Sequence, residues 1–317
     1  MRRDPLELPF APPSNAIVWH VPAAASDAAT LARWRAGVGP PVVTEPASAQ
    51  SSAADSVTIA SWNTALGAAD IPGFVSTLPN PVTPIVLLLQ EVVRGGPEVP
   101  GRLPPGTGFG RRHGGASLGP AFREIEAVAR GLGFGVYYVP SMRNGPPSSS
   151  DEDRGNAILS NLPLTELMAV ELPFERQRRV AIAATIGGHT TAGAPWRLRI
   201  VCAHLDNIGS AKRLYVGSEY GRTRQARGLL TLVAGTEPTI LAGDFNTWFG
   251  FNDLAYSEVL RAFPETRVAD RRRTFHGMLR LDHVFYRLAP RWQAEFRRAA
   301  KRFGSDHYPM LGTVRFR

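Results

Sequence analysis

Short apolar runs of strand length recur from Ser56 to the end of the chain and constrain its fold more than any other feature. Residues 57–62 alternate between apolar and polar, and residues 85–89 are continuously apolar, as expected of half-buried and fully buried strands. Helical spacing separates such runs at 121–132 and 222–234. Many strands mixed with a few helices, without an internal linker, predict one large α/β domain. The other predicted strands lie at 136–139, 157–160, 180–186, 197–203, 239–242, 281–286 and 310–316.

The first 55 residues differ from the rest in composition. They are rich in Pro, Ala and Ser, and residues 47–54 read Ala-Ser-Ala-Gln-Ser-Ser-Ala-Ala, which is typical of a linker. Leu31 and Trp34 lie three apart within a stretch of helical spacing at 27–37. We therefore predict an N-terminal extension over residues 1–55, with a short helix and a linker, followed by the main domain over residues 56–317.

The charge of the chain is strongly positive. Its formal net charge is +9 at pH 7, and Lys212 and Lys301 are its only lysines, so arginine supplies nearly all of the positive charge. A positive surface attracts phosphates, nucleic acid and anionic membranes. We expect a phosphate-bearing substrate for this reason.

Several features bear on where the protein resides. No run approaches the ~20 apolar residues of a transmembrane helix. The two arginines after Met1 are followed by an acidic, proline-containing segment rather than an apolar core, so no secretory signal is predicted. Cys202 is the only cysteine, which excludes an intramolecular disulfide and fits a reducing compartment. We expect a cytoplasmic monomer.

The predicted strands share a second property: several end in a residue capable of metal binding or acid–base chemistry. Buried strands of one sheet can bring such ends together at one rim, where loops form a cleft. A single acidic residue after a strand is usually a turn former, but five such ends are hard to explain by turns. These ends carry Asn63, then Gln90 and Glu91, then His204 with Asp206 and Asn207, then Asp244 and Asn246, and finally Ser305, Asp306 and His307.

The residue types at these ends indicate a reaction. Carboxylate and amide oxygens suit Mg²⁺ or Mn²⁺, whereas zinc would require more histidine or cysteine. The chain contains no HExxH motif, no GxxxxGK[ST] loop and no GxSxG elbow. Histidines beside carboxylates and a metal favour hydrolysis of a phosphate ester, with donors for the charge that develops on the phosphoryl group.

The order and spacing of these motifs resemble the endonuclease/exonuclease/phosphatase (deoxyribonuclease I-like) superfamily. The resemblance covers about residues 56–317 and implies that this range is a catalytic domain. It implies a four-layered α/β sandwich, with two mixed β-sheets packed face to face and helices on the outside. The motifs that carry it are Trp62-Asn63, Leu89-Gln90-Glu91, Gly155-Asn156-Ala157-Ile158-Leu159-Ser160, His204-Leu205-Asp206, Gly243-Asp244-Phe245-Asn246, Leu281-Asp282-His283 and Gly304-Ser305-Asp306-His307.

The resemblance implies a metal site. Glu91 matches the principal metal carboxylate of the family. Asn63 and Asp306 match positions that complete or support the site. The expected cofactor is Mg²⁺ or Mn²⁺.

The resemblance also implies catalytic roles. Asp244 matches the residue that orients or deprotonates the attacking water, and Asn246 the amide that holds a phosphate oxygen or that water. His204 and His307 match the two histidines that donate to the phosphoryl oxygens. Asp282 matches the carboxylate that hydrogen-bonds one of them, which we expect to be His307. Such a partner fixes the imidazole and favours its charged form.

Substrate specificity resides in the loops and is not implied by the fold. Arg179 is the best placed arginine to face a ligand, and Asn156, Asp206 and Asn207 are further candidates, although each of these three also fits a purely structural role. We expect a nuclease-like phosphodiesterase acting on DNA or RNA. The alternatives are a lipid or small-phosphoester hydrolase, related to sphingomyelinases or inositol phosphatases, and a non-catalytic phosphate-binding protein on the same scaffold.

Overall fold

Fourteen strands among the described residues form two mixed sheets. The computed structural model describes residues 6–7, 17–21, 25–47, 53–78, 83–100, 124–145, 151–207 and 218–316. The first sheet has the strand order β1-β2-β8-β9-β10-β11-β12, and the second has the order β13-β14-β4-β5-β7-β6-β3. In chain order the strands are β1 (Leu6–Glu7), β2 (Val18–His20), β3 (Val42–Thr44), β4 (Ser56–Asn63), β5 (Ile85–Gly95), β6 (Gly135–Arg143), β7 (Glu152–Ser160), β8 (Thr165–Glu171), β9 (Val180–His189), β10 (Pro195–His204), β11 (Thr239–Asp244), β12 (Asp282–Arg287), β13 (Gln293–Arg298) and β14 (Met310–Arg315).

Helices cover the outer face of each sheet. Apolar residues of two helices pack on the second sheet, those of two others pack on the first, and a further core including Ile59, Val86 and Ile200 fills the space between the sheets. This order of layers confirms the predicted four-layered sandwich. Within the described part of the chain, no helix has the length and apolar character needed to cross a membrane. The helices are α1 (Ala25–Arg35), α2 (Ile71–Val75) and α3 (Ile125–Leu132), of which α2 and α3 cover the second sheet, and α4 (Ser218–Leu229) and α5 (Leu254–Ala262), which cover the first.

Every strand predicted from the sequence has a counterpart in the structure, but the set was incomplete. The pattern did not predict the short strands β1, β2 and β3 of the N-terminal segment. It also did not predict β8, which carries a glutamate near each end, or β13, a charged strand at the edge of its sheet. Edge and amphipathic strands of this kind lack the apolar runs on which the prediction relied. The helix predicted at 222–234 is α4 followed by a 3-10 helix at 230–233.

The N-terminal segment contributes to both sheets. The predicted short helix is α1, while β2 pairs with β8 and β3 pairs with β6. Of the linker-like stretch 47–54, residues 48–52 lie outside the described residues. The boundary between residues 55 and 56 therefore stays a prediction.

Residues at and after the end of α1 touch both sheets. Arg35 lies 3.1 Å from Glu171 of β8, whose carboxylate is fully buried. The Gly39 N–H donates to Asp153 Oδ2 of β7 at 2.8 Å. This segment therefore bridges the two sheets along the side formed by β7 and β8.

Candidate active site

Strand pairing brings the polar strand ends to one edge of the sandwich. His204 is aligned with Asp244 across the parallel pair β10–β11, and Asp244 is aligned with Asp282 across β11–β12. In the other sheet, Asn63 is aligned with Gln90 across the parallel pair β4–β5. Asn63 Nδ2 donates to Asp244 Oδ2 at 2.9 Å, so the strand ends of the two sheets meet at this carboxylate.

The Gly-Asp-Phe-Asn run has a structural reason at each position. A Cβ on Gly243 would lie 1.8 Å from the carbonyl oxygen of Ala203, so only glycine lets β10 and β11 approach this closely. Phe245 is fully buried and packs edge-on against Phe285 at 5.2 Å. Asn246 adopts φ of +48°, a conformation that asparagine tolerates better than most residues. Burial of Phe245 and this backbone turn anchor the loop that follows Asp244.

Asp244 is the centre of the cluster. It is 2% exposed, and its Oδ1 accepts from the Asn246 N–H at 2.9 Å. Its Oδ2 lies 3.5 Å from His204 Nε2 and 3.7 Å from His307 Nε2. Burial raises the pKa of Asp244 to about 7, and the nearby charge of Asp282 acts in the same direction, against the opposing charge of His307. A carboxylate with a pKa near neutrality and two histidines beside it is suited to accept a proton.

His307 is held as a charged donor. Its Nδ1 lies 2.8 Å from Asp282 Oδ2, as the sequence predicted. Burial alone would lower the pKa of His307, but the carboxylates of Asp282 and Asp244 together raise it to about 10. The loop is fixed by Ser305, whose hydroxyl donates to the Asn63 carbonyl at 2.7 Å and accepts from the His307 N–H at 2.9 Å.

His204 is held as a neutral donor. Its Nδ1 lies 3.1 Å from Arg179 Nη1, and because a guanidinium only donates, Nδ1 must accept and the ring proton sits on Nε2. Burial lowers the pKa of His204 well below its usual value, and the charge of Arg179 lowers it further. Nε2 faces Asp244 and, at 3.9 Å, Glu91 Oε1. The two histidines thus offer one neutral and one charged N–H to the same space.

Glu91 leaves the pleat of β5 at a bulge. Pairing of β5 with β7 shifts register between Leu89 and Val92, and Glu91 has φ of +56°. Bulges re-aim side chains near active sites. The sequence interpretation that this strand ends at Glu91 is wrong, since β5 continues to Gly95 beyond the bulge.

Glu91 and Asp306 carry partly exposed carboxylates beside His204 and His307, respectively. Their side chains are 25% and 38% exposed, whereas Asp244 is nearly inaccessible. Asn63 Oδ1 accepts from the Ala65 N–H at 3.0 Å, which leaves one lone pair of this amide oxygen. Carboxylate and amide oxygens are of the type that suits a small hard divalent cation.

A second group of atoms is close enough to hold a metal. Within the described residues, ligand atoms of Asp244, Asp282 and His307 lie within 4.8 Å of one another. Within this group, His307 Nδ1 and Asp282 Oδ2 already hydrogen-bond each other at 2.8 Å. The partly exposed carboxylate of Glu91, with Oε1 3.9 Å from His204 Nε2, is a separate candidate ligand.

Asn156 and Arg179, predicted to bind substrate, line one cleft with Glu91 and His204. Asn156 is anchored by donation from Nδ2 to the Val180 carbonyl at 2.7 Å, across the two sheets. Asn246, predicted to hold a phosphate oxygen or water, donates through its own Nδ2 to a backbone carbonyl at 2.9 Å. Both amides are therefore fixed with their oxygens available.

Asp206 and Asn207 occupy a different environment. Asp206 is 1% exposed, and its Oδ2 accepts from the backbone N–H groups of Arg176 and Gln177 at 2.9 and 3.0 Å. This carboxylate closes the turn before β9, which is the structural role that its sequence position also allowed. The Asn207 carbonyl accepts from Trp248 Nε1 at 2.9 Å, and residues 208–217 lie outside the described residues.

A family model described as the Endonuclease/Exonuclease/phosphatase family matches residues 46–307. The chain belongs to this family. Members of the endonuclease/exonuclease/phosphatase family are phosphoester hydrolases. Two UPF0294 proteins from strains of Vibrio cholerae are each 38% identical over 109 residues, which cover 32% of this chain and 37% of the relative. The matched part is thus little more than a third of those relatives.

Solved structures share the family fold. An endonuclease/exonuclease/phosphatase from Beutenbergia cavernae superposes with a TM-score of 0.57 at 19% identity, over 83% of this chain and 72% of that one. A mutant beta toxin from Staphylococcus aureus with bound magnesium ions gives a TM-score of 0.53 at 14% identity, over 82% of this chain and 99% of the toxin. At these identities the likeness extends to the fold alone.

The family motifs missed a charged residue of the cleft. Arg154 lines it beside Glu91 and Arg179, although it was not among the predicted site residues. It directly precedes the Gly155-Asn156 motif, and this adjacency was the one signal in the sequence. Arginine is so frequent in this chain that residue type alone did not single it out.

Proposed function

We propose that this chain is a Mg²⁺- or Mn²⁺-dependent phosphodiesterase that cleaves DNA or RNA through attack by a water activated at Asp244. One observation carries the proposal. The buried Asp244 carboxylate lies within 3.7 Å of two histidines of different protonation, beside the partly open carboxylate of Glu91. This combination supplies a proton acceptor, two donors and a cation ligand to one space.

Each residue has a role in the proposed reaction. Asp244 accepts the proton of the attacking water, held in place by Asn63 and by the N–H of Asn246. His204 and His307 donate through Nε2 to non-bridging phosphoryl oxygens as negative charge develops there.

Glu91, with Asp306 and Asn63 in support, would hold the cation. A bound divalent ion neutralises charge on the phosphoryl oxygens and on the leaving oxygen. Asp282 keeps His307 oriented and charged.

Nucleic acid as the substrate is supported by charge. The formal net charge of +9 and the arginines of the cleft favour a polyanion. We expect binding to weaken steeply with salt, because phosphate contacts release condensed counterions.

A lipid substrate is the second candidate, and a specific observation favours it. Phe249 and Met278 are 50% and 60% exposed, which is unusual for large apolar side chains. Phe249 follows Asn246 by three residues, and Met278 lies in the turn after Phe275, whose ring is 4.9 Å from that of His307. Exposed apolar side chains on loops that carry site residues could contact a lipid surface.

A hydrolysis panel tests the proposal. Purified protein would be assayed with Mg²⁺, with Mn²⁺ and with EDTA on plasmid, single-stranded DNA, RNA, abasic duplex, sphingomyelin, inositol phosphates and bis(p-nitrophenyl) phosphate. We expect cation-dependent cleavage of a nucleic acid, abolished by EDTA and restored by Mg²⁺ or Mn²⁺. The Asp244→Asn variant serves as the control for contaminating nucleases.

Each other outcome identifies an alternative. Cleavage of sphingomyelin or an inositol phosphate, but of no nucleic acid, would replace the nuclease with the lipid or small-phosphoester hydrolase. Binding of phosphate esters without turnover of any substrate would indicate a non-catalytic phosphate-binding protein. Activity that survives EDTA would refute the role of the metal.

A further inference from the structure

The wall of the cleft beyond Glu91 is formed by Arg154 and Arg179, and the proposed reaction steps assign a role to neither arginine. Arg179 is 6% exposed and donates one N–H to His204, while its buried Nε has no hydrogen-bond partner in the described residues. Arg154 is half-buried and hydrogen-bonds through Nη2 to the sulfur of Met142 at 3.3 Å. A thioether is a weak acceptor and leaves most of a guanidinium's donors available.

The backbone directs Arg154 into the cleft. Side chains two apart on a strand share a face, so Arg154 lies on the same face of β7 as Asn156, which reaches across to β9. Gly155 between them is pressed against β6, since a Cβ there would lie 2.0 Å from the Val139 carbonyl oxygen. Pairing on each side of this point is interrupted, by the bulge at Glu91 in β5 and by a register shift between Pro140 and Met142 in β6.

The charges of this wall do not balance within the described residues. Glu91 supplies the negative charge next to Arg154, and Arg179 adds a second positive charge nearby. If Glu91 binds a divalent cation, its charge is shared with that cation. Two half-buried or buried guanidinium groups then face the cleft, and such groups are costly unless an anion pairs with them.

The position of this wall relative to Asp244 fixes what it would recognise. Arg179 lies behind His204, on the side opposite Asp244, and Arg154 lies on the Glu91 side of the same cleft. In an in-line displacement the leaving group departs opposite the attacking water. If the attacking water is activated at Asp244, a leaving fragment that departs on the far side of His204 would meet the two arginines.

We propose that Arg154 is a specificity-determining residue that forms, with Arg179, a subsite for a second phosphate group on the leaving fragment of the substrate. This inference rests on the proposed function for its orientation, while the subsite itself rests on the two arginines. The second phosphate would be the next phosphate of a nucleic-acid strand or the terminal phosphate of a small phosphorylated ester. Planar guanidinium groups match phosphate oxygens in a bidentate manner.

A binding experiment that needs no turnover tests the subsite. Calorimetric titration with Mg²⁺ present would compare thymidine 3′,5′-bisphosphate with thymidine 5′-phosphate. We expect the protein to prefer the bisphosphate, and Arg154→Gln to reduce that preference by ~10- to 100-fold, as for loss of a charged hydrogen-bond pair. Arg154→Lys should retain part of the preference. Arg261→Gln, which changes a 73% exposed arginine of α5 outside the cleft, should leave it unchanged.

The outcomes separate this inference from the proposed function. An equal preference in Arg154→Gln and the unaltered protein would overturn the subsite, even if nucleic acid is cleaved. A preference lost in Arg154→Gln without turnover of any substrate would support the subsite and refute the hydrolase. If circular dichroism shows that Arg154→Gln does not fold, Arg154→Lys provides the test instead. A preference for the bisphosphate that is unchanged in Arg154→Lys at both low and high salt would contradict pairing of Arg154 with phosphate.

The source of the second phosphate follows from a hydrolysis comparison. Loss of kcat/KM in Arg154→Gln on a thymidine oligonucleotide would assign the subsite to a strand phosphate. Loss confined to a small ester that carries a terminal phosphate would assign it to that group. No greater loss with either substrate than with bis(p-nitrophenyl) phosphate, which lacks a second phosphate, would refute the proposal.

Discussion

Replacing Asp282 with asparagine should uncouple the charge of His307 from its position. Asparagine is close to aspartate in shape, and its Oδ1 can accept from His307 Nδ1, which now lies 2.8 Å from Asp282 Oδ2. The imidazole should therefore keep its orientation while losing its main counter-charge. A loss of activity in Asp282→Asn then reports the charge of His307.

The structure sets the size of the effect. The pKa of His307 is raised from 6.5 to about 10 even though burial opposes the charged form. That difference favours the charged ring by ~5 kcal/mol, since each step of one in pKa is worth about 1.4 kcal/mol. Asp282 is the largest favourable contribution and Asp244 the next. If Asp282 supplies more than half of the rise in the pKa of His307, that pKa falls below ~8 in Asp282→Asn.

Two measurements follow. The Cε1 proton of His307 should titrate near 10 by NMR in the unaltered protein and below ~8 in Asp282→Asn. In the pH–rate profile for bis(p-nitrophenyl) phosphate with saturating Mg²⁺, the fall in rate at alkaline pH should move from near pH 10 to below pH ~8. The rate at pH 9 should therefore be lower by ~10-fold or more in Asp282→Asn. Asp55→Asn, an exposed carboxylate that hydrogen-bonds Thr191, is the matched control.

The free energy of unfolding should also depend on the charge of His307. A histidine whose folded pKa is raised contributes stability that is fully present below pH 6.5 and is lost as pH rises through about 10. Asp282→Asn should therefore lower the free energy of unfolding most at pH 6 and least above pH 10. Titration of His307 near 6.5 in the unaltered protein, or an unchanged profile in Asp282→Asn, would refute this account of His307.

Three further predictions concern the metal, the base and the fold. Glu91→Gln should raise the Mg²⁺ concentration needed for half-maximal activity by ~10-fold or more, and an unchanged requirement would assign the cation elsewhere. Asp244→Asn should fold normally by circular dichroism but lose ~10³-fold or more in kcat, whereas near-normal turnover would mean that another group accepts the proton. Gly243→Ala should lower the free energy of unfolding in urea by ~2 kcal/mol or more, because the new Cβ would meet the Ala203 carbonyl oxygen at 1.8 Å. Gly131→Ala, in α3 with open space around it, should be neutral or stabilising, and equal losses in both variants would contradict the packing argument.

The layers of the fold were predictable because buried strands leave apolar runs in the sequence. The runs at 57–62, 85–89 and 239–242 became β4, β5 and β11, which each have a paired strand on both sides. Strand β13 was not predicted because its charged residues face solvent at a sheet edge. There packing rather than composition decides the conformation.

The proximity of Asn63 and Asp244 was predictable for a different reason. Each is the last residue of its strand, and the packing of the two sheets brings these strand ends together. Arg154 could not be found in this way, because its place in the cleft depends on register shifts in β5 and β6. Bulges leave little trace in the order of residues, so the side chains they re-aim are visible in three dimensions alone.

The segment from Arg35 to Gly39 also bears on how substrate preference could diverge among relatives. Two of its contacts lie next to the cleft arginines: Asp153 directly precedes Arg154, and Glu171 pairs with Arg178, which directly precedes Arg179. This segment lies before the residues that match the family, which begin at 46.

The residues around Asp244 lie within the matched range, whereas some contacts to the neighbours of the cleft arginines come from outside it. Changes at Arg35 or Gly39 would therefore alter those contacts without touching Asp244 or either histidine. For the proposed subsite, part of the support for substrate preference would then be encoded outside the stretch that carries the proposed reaction.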